Sequence, residues 1–167
     1  MTEGSVHGQS QRRLSHLDDD GAARMVDVSG KAASARTATA RGTVHTTAEV
    51  TGLIAARGLP KGDVLSTARI AGIQAAKRTH ELVPLCHQLS LTAVGVDFAV
   101  ADGVIEVTAS VRTTDRTGVE MEALTAVSVA ALTVYDMIKA VDPGARLDDI
   151  HLVRKEGGKT GVWTPRR

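Results

Sequence analysis

The chain has 167 residues, 43% of them hydrophobic and 23% charged, with a formal net charge of +1. That length is enough for a compact domain with a real core, and the near-neutral total provides no global field to draw it to DNA or to a membrane surface. Aromatic residues are only 2% (Phe98, Tyr135 and Trp163), so the core must be aliphatic, and the scarcity of base-stacking surface counts against single-stranded nucleic acid as a partner.

Residues 1–13 are polar and unpatterned and read as a flexible tail, leaving 14–167 as a single domain with no repeat or low-complexity stretch. They lack the apolar region of a signal peptide, and no apolar run is read as long enough to span a bilayer. Arg24 to Val28 predicts a short strand. From Ala33 to Thr46, small and aliphatic residues alternate with Arg and Thr as in a half-buried strand. Thr47 to Arg57 predicts a helix stopped by Gly58 and Pro60. Lys61 to Leu82 predicts a second helix, with Val64, Ala68, Ala71 and Ala75 at helical spacing and an end before Pro84.

Val94, Val96, Phe98 and Val100 then form one strand face, Ala101-Asp-Gly103 a hairpin turn, and Ile105, Val107, Ala109 and Val111 the face of the returning strand. Residues 118–141 predict one long apolar helix, and 149–154 a last strand. Interleaved strands and helices with antiparallel pairing predict an α+β fold, a ferredoxin-like sandwich with helices on one face of an antiparallel sheet.

The long helix carries ionisable residues that an inert core helix does not need. Glu120 and Glu122 at its start complement the helix dipole, but Asp136 is an acid near the wrong end. Asp136 and Lys139 lie one turn apart. An exposed ion pair is the simple reading, yet the apolar surroundings imply burial in a shielded cleft, where the proton affinity of a lysine can be tuned for acid–base work, a depressed pKa letting it act as base and then acid. In Lys61-Gly-Asp63, Asp63 fits a helix start, with Lys61 solvated. Lys77 and Arg78 likewise match the dipole at the end of their helix.

Cys86, the lone cysteine, excludes an intrachain disulfide and fits a reducing, cytoplasmic location. With His87 beside it but no further cysteine, a structural zinc site is not expected. Gly157-Gly-Lys-Thr-Gly161 is not a P-loop, because the first glycine of that motif would fall at Val153. Its glycine backbone beside Lys155 and Lys159 could still cradle a phosphate.

Taken together, Lys61-Gly-Asp-Val, Thr67-Ala-Arg-Ile-Ala-Gly-Ile-Gln-Ala-Ala-Lys-Arg-Thr79, Leu85-Cys-His87, Thr117-Gly-Val-Glu-Met-Glu-Ala-Leu-Thr-Ala126, Tyr135-Asp-Met137, Lys139-Ala-Val141 and Gly157-Gly-Lys-Thr-Gly161 resemble the molybdenum cofactor biosynthesis protein C family. These are the cyclic pyranopterin monophosphate synthases, and the likeness runs from about Leu14 to Trp163. The resemblance implies conversion of a cyclised dihydro-GTP into cyclic pyranopterin monophosphate with release of pyrophosphate. It implies Lys61, Lys139 and Asp136 as catalytic residues. Leu85, Cys86, His87, Glu120, Met121 and Glu122 are then substrate contacts, and Arg36, Lys155 and Lys159 cations for the triphosphate.

No bound metal and no cofactor are expected beyond a divalent cation such as Mg2+ arriving with the triphosphate. The resemblance also implies a homohexamer, a trimer of dimers with sites at the dimer interface. In one chain, Glu122 and Asp136 would lie about 21 Å apart along the helix, which points to the same sharing. Gln88 stands where the family has proline. Glutamine relaxes that loop but leaves the acid–base residues intact, so activity is expected to persist. An RNA-binding module on such a sheet would need aromatics on adjacent strands, and Phe98 is the only one. A non-catalytic relative is argued against by the intact Lys61, Asp136 and Lys139.

Overall fold

The computed structural model describes Leu17 and residues 20–165; the expected tail over 1–13 lies outside them. Strand β1 (Ser34–His45) turns Ala38, Ala40, Gly42 and Val44 inward and polar residues outward. β2 (Leu91–Ala101) and β3 (Val104–Asp115) form the expected hairpin, in which Gly103 takes φ +69°. That left-handed conformation suits glycine in a two-residue turn. β4 (Arg146–Glu156) pairs with the other edge of β1. It is longer than expected because register shifts opposite Thr39/Ala40 and Arg41/Thr43, and Asp149 at φ +51°, break the alternation that sequence inspection relies on.

The sheet order is β2-β3-β1-β4, antiparallel throughout. With helices linking β1 to β2 and β3 to β4, this is the ferredoxin-like arrangement.

Helix α1 (Ala48–Ala55) is capped by Thr47, whose hydroxyl accepts from the Val50 N–H. Helix α2 (Val64–Lys77) is capped by Asp63, which accepts from the Ser66 N–H at 3.0 Å, so Lys61 and Gly62 stay outside it. The predicted helix over 61–82 is therefore shorter. At Arg78 the backbone leaves the helical region, and only the single turn α3 (Thr79–Leu82) follows. The strand expected over 24–28 does not form: the segment joins no strand of the sheet and instead runs along the start of the long helix, its Val26 carbonyl bonded to the His87 ring.

That helix, α4 (Glu120–Ile138), packs against β1, β3, β4 and α2. It is long and apolar enough to cross a membrane by length and composition, contrary to expectation, but 56% of its most apolar stretch is buried within the fold. Ala123, Ala126, Val127, Ala130, Ala131 and Val134 meet Ala38, Ala40, Val107 and Ala109 in one aliphatic core. All three aromatics are only half-buried.

Small side chains bring the layers close. A Cβ on Gly72 of α2 would sit 2.9 Å from the Ala126 carbonyl oxygen and 3.2 Å from Ala130 Cβ. Gly72→Val should therefore lower stability by about 2 kcal/mol through overpacking, read as a shifted midpoint in denaturant unfolding with an unchanged slope.

Candidate active site

The sequence-selected residues gather at the two ends of α4. At its start, Leu85, Cys86, His87, Glu120, Met121 and Glu122 line one cleft of about 340 Å³. Val26, Val28, Lys31, Leu89, Thr117 and Gly118 complete it. His87 is fixed by its ring: Nε2 lies 2.7 Å from the Val26 carbonyl oxygen. A carbonyl can only accept, so Nε2 carries the proton, and the 24–28 segment is tied over the cleft.

Glu122 is only 4% exposed. Burial, reinforced by the neighbouring Glu120 charge and opposed by the Glu122 backbone N–H, pushes its carboxyl up to about 7. Burial likewise raises the Cys86 thiol, with the Glu122 charge adding to it. Cys86 is thus a poor nucleophile that shapes the cleft wall.

The cleft opens into a cavity of about 670 Å³ through the shared Lys31, Thr117 and Gly118. Arg36, Arg116 and Lys159 line that cavity, and a smaller recess beyond it adds Lys155. Arg36 is aimed by the fold: its Nε donates to the Asp115 carbonyl at 3.0 Å and its Nη2 to that of Arg116 at 3.3 Å. Its Nη1 lies against Gly158. Side chains at Gly157 and Gly158, at φ +96° and +70°, would collide with the Ala35 carbonyl and with that guanidinium. Lys155 Nζ donates to Glu120 Oε1 at 2.9 Å and stands 5.9 Å from the Trp163 ring centre. The glycine-rich segment is therefore a tight hairpin, with a single 3-10 turn at Gly158–Thr160.

At the far end of α4, one carboxylate holds two ammonium groups. Lys139 Nζ lies 2.7 Å from Asp136 Oδ1. Lys61 Nζ lies 2.9 Å from Oδ2 and 2.7 Å from the Asp136 carbonyl oxygen. So Lys61 is not merely solvated.

The expected shielded cleft is absent within one chain: the Asp136 and Lys139 side chains are 56% and 50% exposed. The proton affinity of Lys139 is raised, not depressed, by its hydrogen bond to Asp136 and then by that charge. The hydrogen bonds from Lys139 and Lys61 hold Asp136 down at about 2. Alone, this end is a charged, proton-rich cluster. The 14 residues from Glu122 to Asp136 separate it from the cleft by about 21 Å, so one chain does not unite the two groups.

Lys31 and Arg116 escaped sequence inspection. Lys31 follows the segment misread as a strand, and Arg116 sits in an ordinary-looking connection after β3. The Thr117-Gly118 step was visible only as part of a longer motif. Among the described residues no cluster of three or more His, Cys, Asp or Glu could hold a metal ion.

The sequence profile of the MoaC family matches residues 25–158. The chain is 67% identical over 153 residues to cyclic pyranopterin monophosphate synthase 2 of Mycobacterium tuberculosis, covering 92% of each chain. It is 63% identical over 154 residues to cyclic pyranopterin monophosphate synthase of Streptomyces coelicolor, covering 92% of this chain and 91% of that one. With the Novosphingobium aromaticivorans protein of the same name the identity is 60% over 151 residues, 90% of this chain and 96% of that one.

Glu122 has a pH signature. Its carboxyl rises from 4.5 to about 7 on folding, so the fold favours the neutral acid. That stabilisation is whole below the unfolded value and is lost as pH rises through the folded one. At pH 8, Glu122→Gln should be more stable than the native chain by about 2 to 3 kcal/mol, an advantage that shrinks as pH falls toward 4.5. Denaturant melts of both chains across pH 4.5–8 check this.

Proposed function

Because the chain belongs to the MoaC family, we infer that it performs the reaction after which its relatives are named. It converts cyclised dihydro-GTP into cyclic pyranopterin monophosphate and releases pyrophosphate, in the biosynthesis of the molybdenum cofactor. The observation that carries this is 67% identity over 92% of both chains to a synthase. The geometry suits such a substrate. The cleft beside His87 and Glu122 offers acceptors and a carboxyl that titrates near neutral pH to a purine-derived ring, and the cationic cavity next to it offers neutralisation to a triphosphate.

Ring opening and rebuilding need repeated proton transfers. Lys61 and Lys139 carry them in this reading, with Asp136 orienting both. Because Asp136 strengthens the hold of Lys139 on its proton, Lys139 enters as a proton donor. It becomes a base once it has given that proton away. Leu85, Cys86 and Met121 shape the ring cleft, and Arg36, Lys155 and Lys159 bind phosphate. No resident cofactor is needed; a divalent cation, where present, enters with the triphosphate. The reaction runs in the cytoplasm.

The active site is shared between two chains. Along α4, an exposed stripe carries Met121 at 39% and Leu132 at 56% exposure, with half-buried Thr125 and Ser128 between them. Ser128 is equidistant in sequence from Glu120 and Asp136. An antiparallel two-fold contact centred there covers the stripe and sets the Asp136 cluster of one chain against the cleft of the other. Three such dimers form the hexamer that the family resemblance implies.

The test supplies cyclised dihydro-GTP and follows pyrophosphate and pterin together. Lys139→Ala should fold normally and lose about 10²- to 10⁴-fold in turnover; undiminished turnover would refute its role. Mixing it with Glu122→Ala after subunit exchange should restore up to roughly a quarter of native activity, since half the dimers are mixed and each has one intact site. No recovery despite proven exchange would exclude a shared site.

A further inference from the structure

A separate cavity of about 250 Å³ lies where helix α1 meets the start of α2. Among the described residues it shares no lining side chain with the ring cleft, the cationic cavity or the recess beyond it. Leu53, Leu59, Val64 and Leu65 give it an apolar wall, and Arg57 and Arg69 give it charge. Its room equals that of about eight waters, which suits a small organic molecule and not a nucleotide.

The two arginines are placed by different means. Arg69 is aimed: its Nε donates to the Val96 carbonyl at 2.8 Å, and its guanidinium stands 5.7 Å from the Phe98 ring centre. Arg57 is strained. It follows the cap of α1 at φ +54°, where the Gly58 N–H donates to the Leu53 carbonyl at 2.9 Å and closes the helix. Glycine is the usual residue at that left-handed position, so an arginine there lowers stability, and a strained side chain on a cavity wall points to a use for it.

Asp63, the one carboxylate among the described residues of the wall, is already engaged. Its Oδ1 accepts the Ser66 N–H at 3.0 Å and its Oδ2 the Ser66 hydroxyl at 2.7 Å. Two guanidiniums against one carboxylate leave one net positive charge. Because Asp63 also caps α2, the arginines and not the helix terminus would draw an anion.

The cavity also bears on Lys61. The Gly62 N–H donates to the Leu59 carbonyl at 3.1 Å and closes the turn Leu59-Pro60-Lys61-Gly62, with Gly62 at φ +87°. Both ends of that turn line the cavity, while Lys61, between them, reaches Asp136.

We propose that this cavity is a regulatory site for a small monocarboxylate with a compact apolar body, and that its occupancy holds Lys61 on Asp136. The carboxylate meets the forked donors of Arg57 and Arg69, and the apolar body packs on the leucines and Val64. A turn held in this way withholds Lys61 from the substrate and slows turnover. The regulatory effect rests on the functional reading above; the binding site does not.

The experiment uses benzoate, with benzamide as its uncharged counterpart, on the native chain, Arg57→Gly and Arg57→Gln. Ligand-detected NMR titration without substrate reads binding, and kcat and KM with cyclised dihydro-GTP read the coupling. The native chain should bind benzoate saturably, and benzamide about tenfold more weakly. Arg57→Gly should melt no lower than the native chain, since glycine accepts the left-handed backbone, yet both variants should bind benzoate about tenfold more weakly. Saturating benzoate should lower native kcat about fivefold with KM nearly unchanged, and a concentration that half-saturates the native site should barely slow Arg57→Gly.

The site is overturned if benzoate does not bind saturably, if benzamide binds as well, or if neither Arg57 variant weakens binding. Binding that depends on Arg57 but leaves kcat unchanged overturns the regulatory role. A rise in KM at constant kcat does so too, because benzoate is then competing with substrate. A native chain with no turnover would refute the functional reading instead, with the NMR titration still deciding the site.

Discussion

Close packing of one apolar helix on a sheet of small residues is the constraint from which the rest of this molecule follows. Alanines and valines on α4 meet alanines and valines on β1 and β3, and Gly72 admits α2 to the same layer. Such surfaces approach closely without voids, so the backbone is held rigidly even though large side chains are scarce. A rigid helix fixes both of its ends, and the candidate site residues sit at those ends. Catalytic groups on helix termini are placed more reproducibly than groups on loops of comparable length.

The two ends differ in electrostatic character. At the first turn, burial raises the Glu122 carboxyl to about 7, so that it both gives and takes a proton near neutral pH, while Glu120 is committed to Lys155. At the last turn, Asp136 is fully ionised and grips two cations in the open. A carboxyl that titrates near neutral pH and an ammonium–carboxylate cluster are complementary tools for moving protons, and neither is useful at 21 Å or so from the other along one helix. Helix length thus makes self-association a condition of the proposed activity rather than an accessory to it.

Much of this was legible in the chain itself. The β2–β3 hairpin announced itself through strict alternation around Asp102-Gly103, and α4 through its unbroken apolar run. β4 was only half visible, because two bulges and a left-handed Asp149 scramble the period of two. The segment from Arg24 to Val28 had strand-like composition, but composition does not say what a segment packs on, and here its Val26 carbonyl is taken by His87 and the segment lines the cleft instead of a sheet edge.

Among the site residues, those in compact motifs (Leu85-Cys86-His87 and Glu120-Met121-Glu122) were found and do share a cleft. The direction of the Lys139 shift was misjudged, because the apolar run around it implied a dry environment, whereas its own side chain reaches past that surface into solvent. Lys31 and Arg116 belong to no short pattern, and only the folded chain places them beside Arg36.

The hairpin of Gly157 and Gly158 folds the end of the described chain back on β4, where Trp163 and Lys155 exchange both backbone hydrogen bonds. The indole is thereby parked beside a cation that is itself clasped by Glu120 on the wall of the cleft. It is the sole tryptophan in the sequence. The protein accordingly possesses a built-in optical reporter: light absorbed beyond the tyrosine band excites one indole alone, and any anion that draws Lys155 away alters the field around that ring, so occupancy is readable without a label.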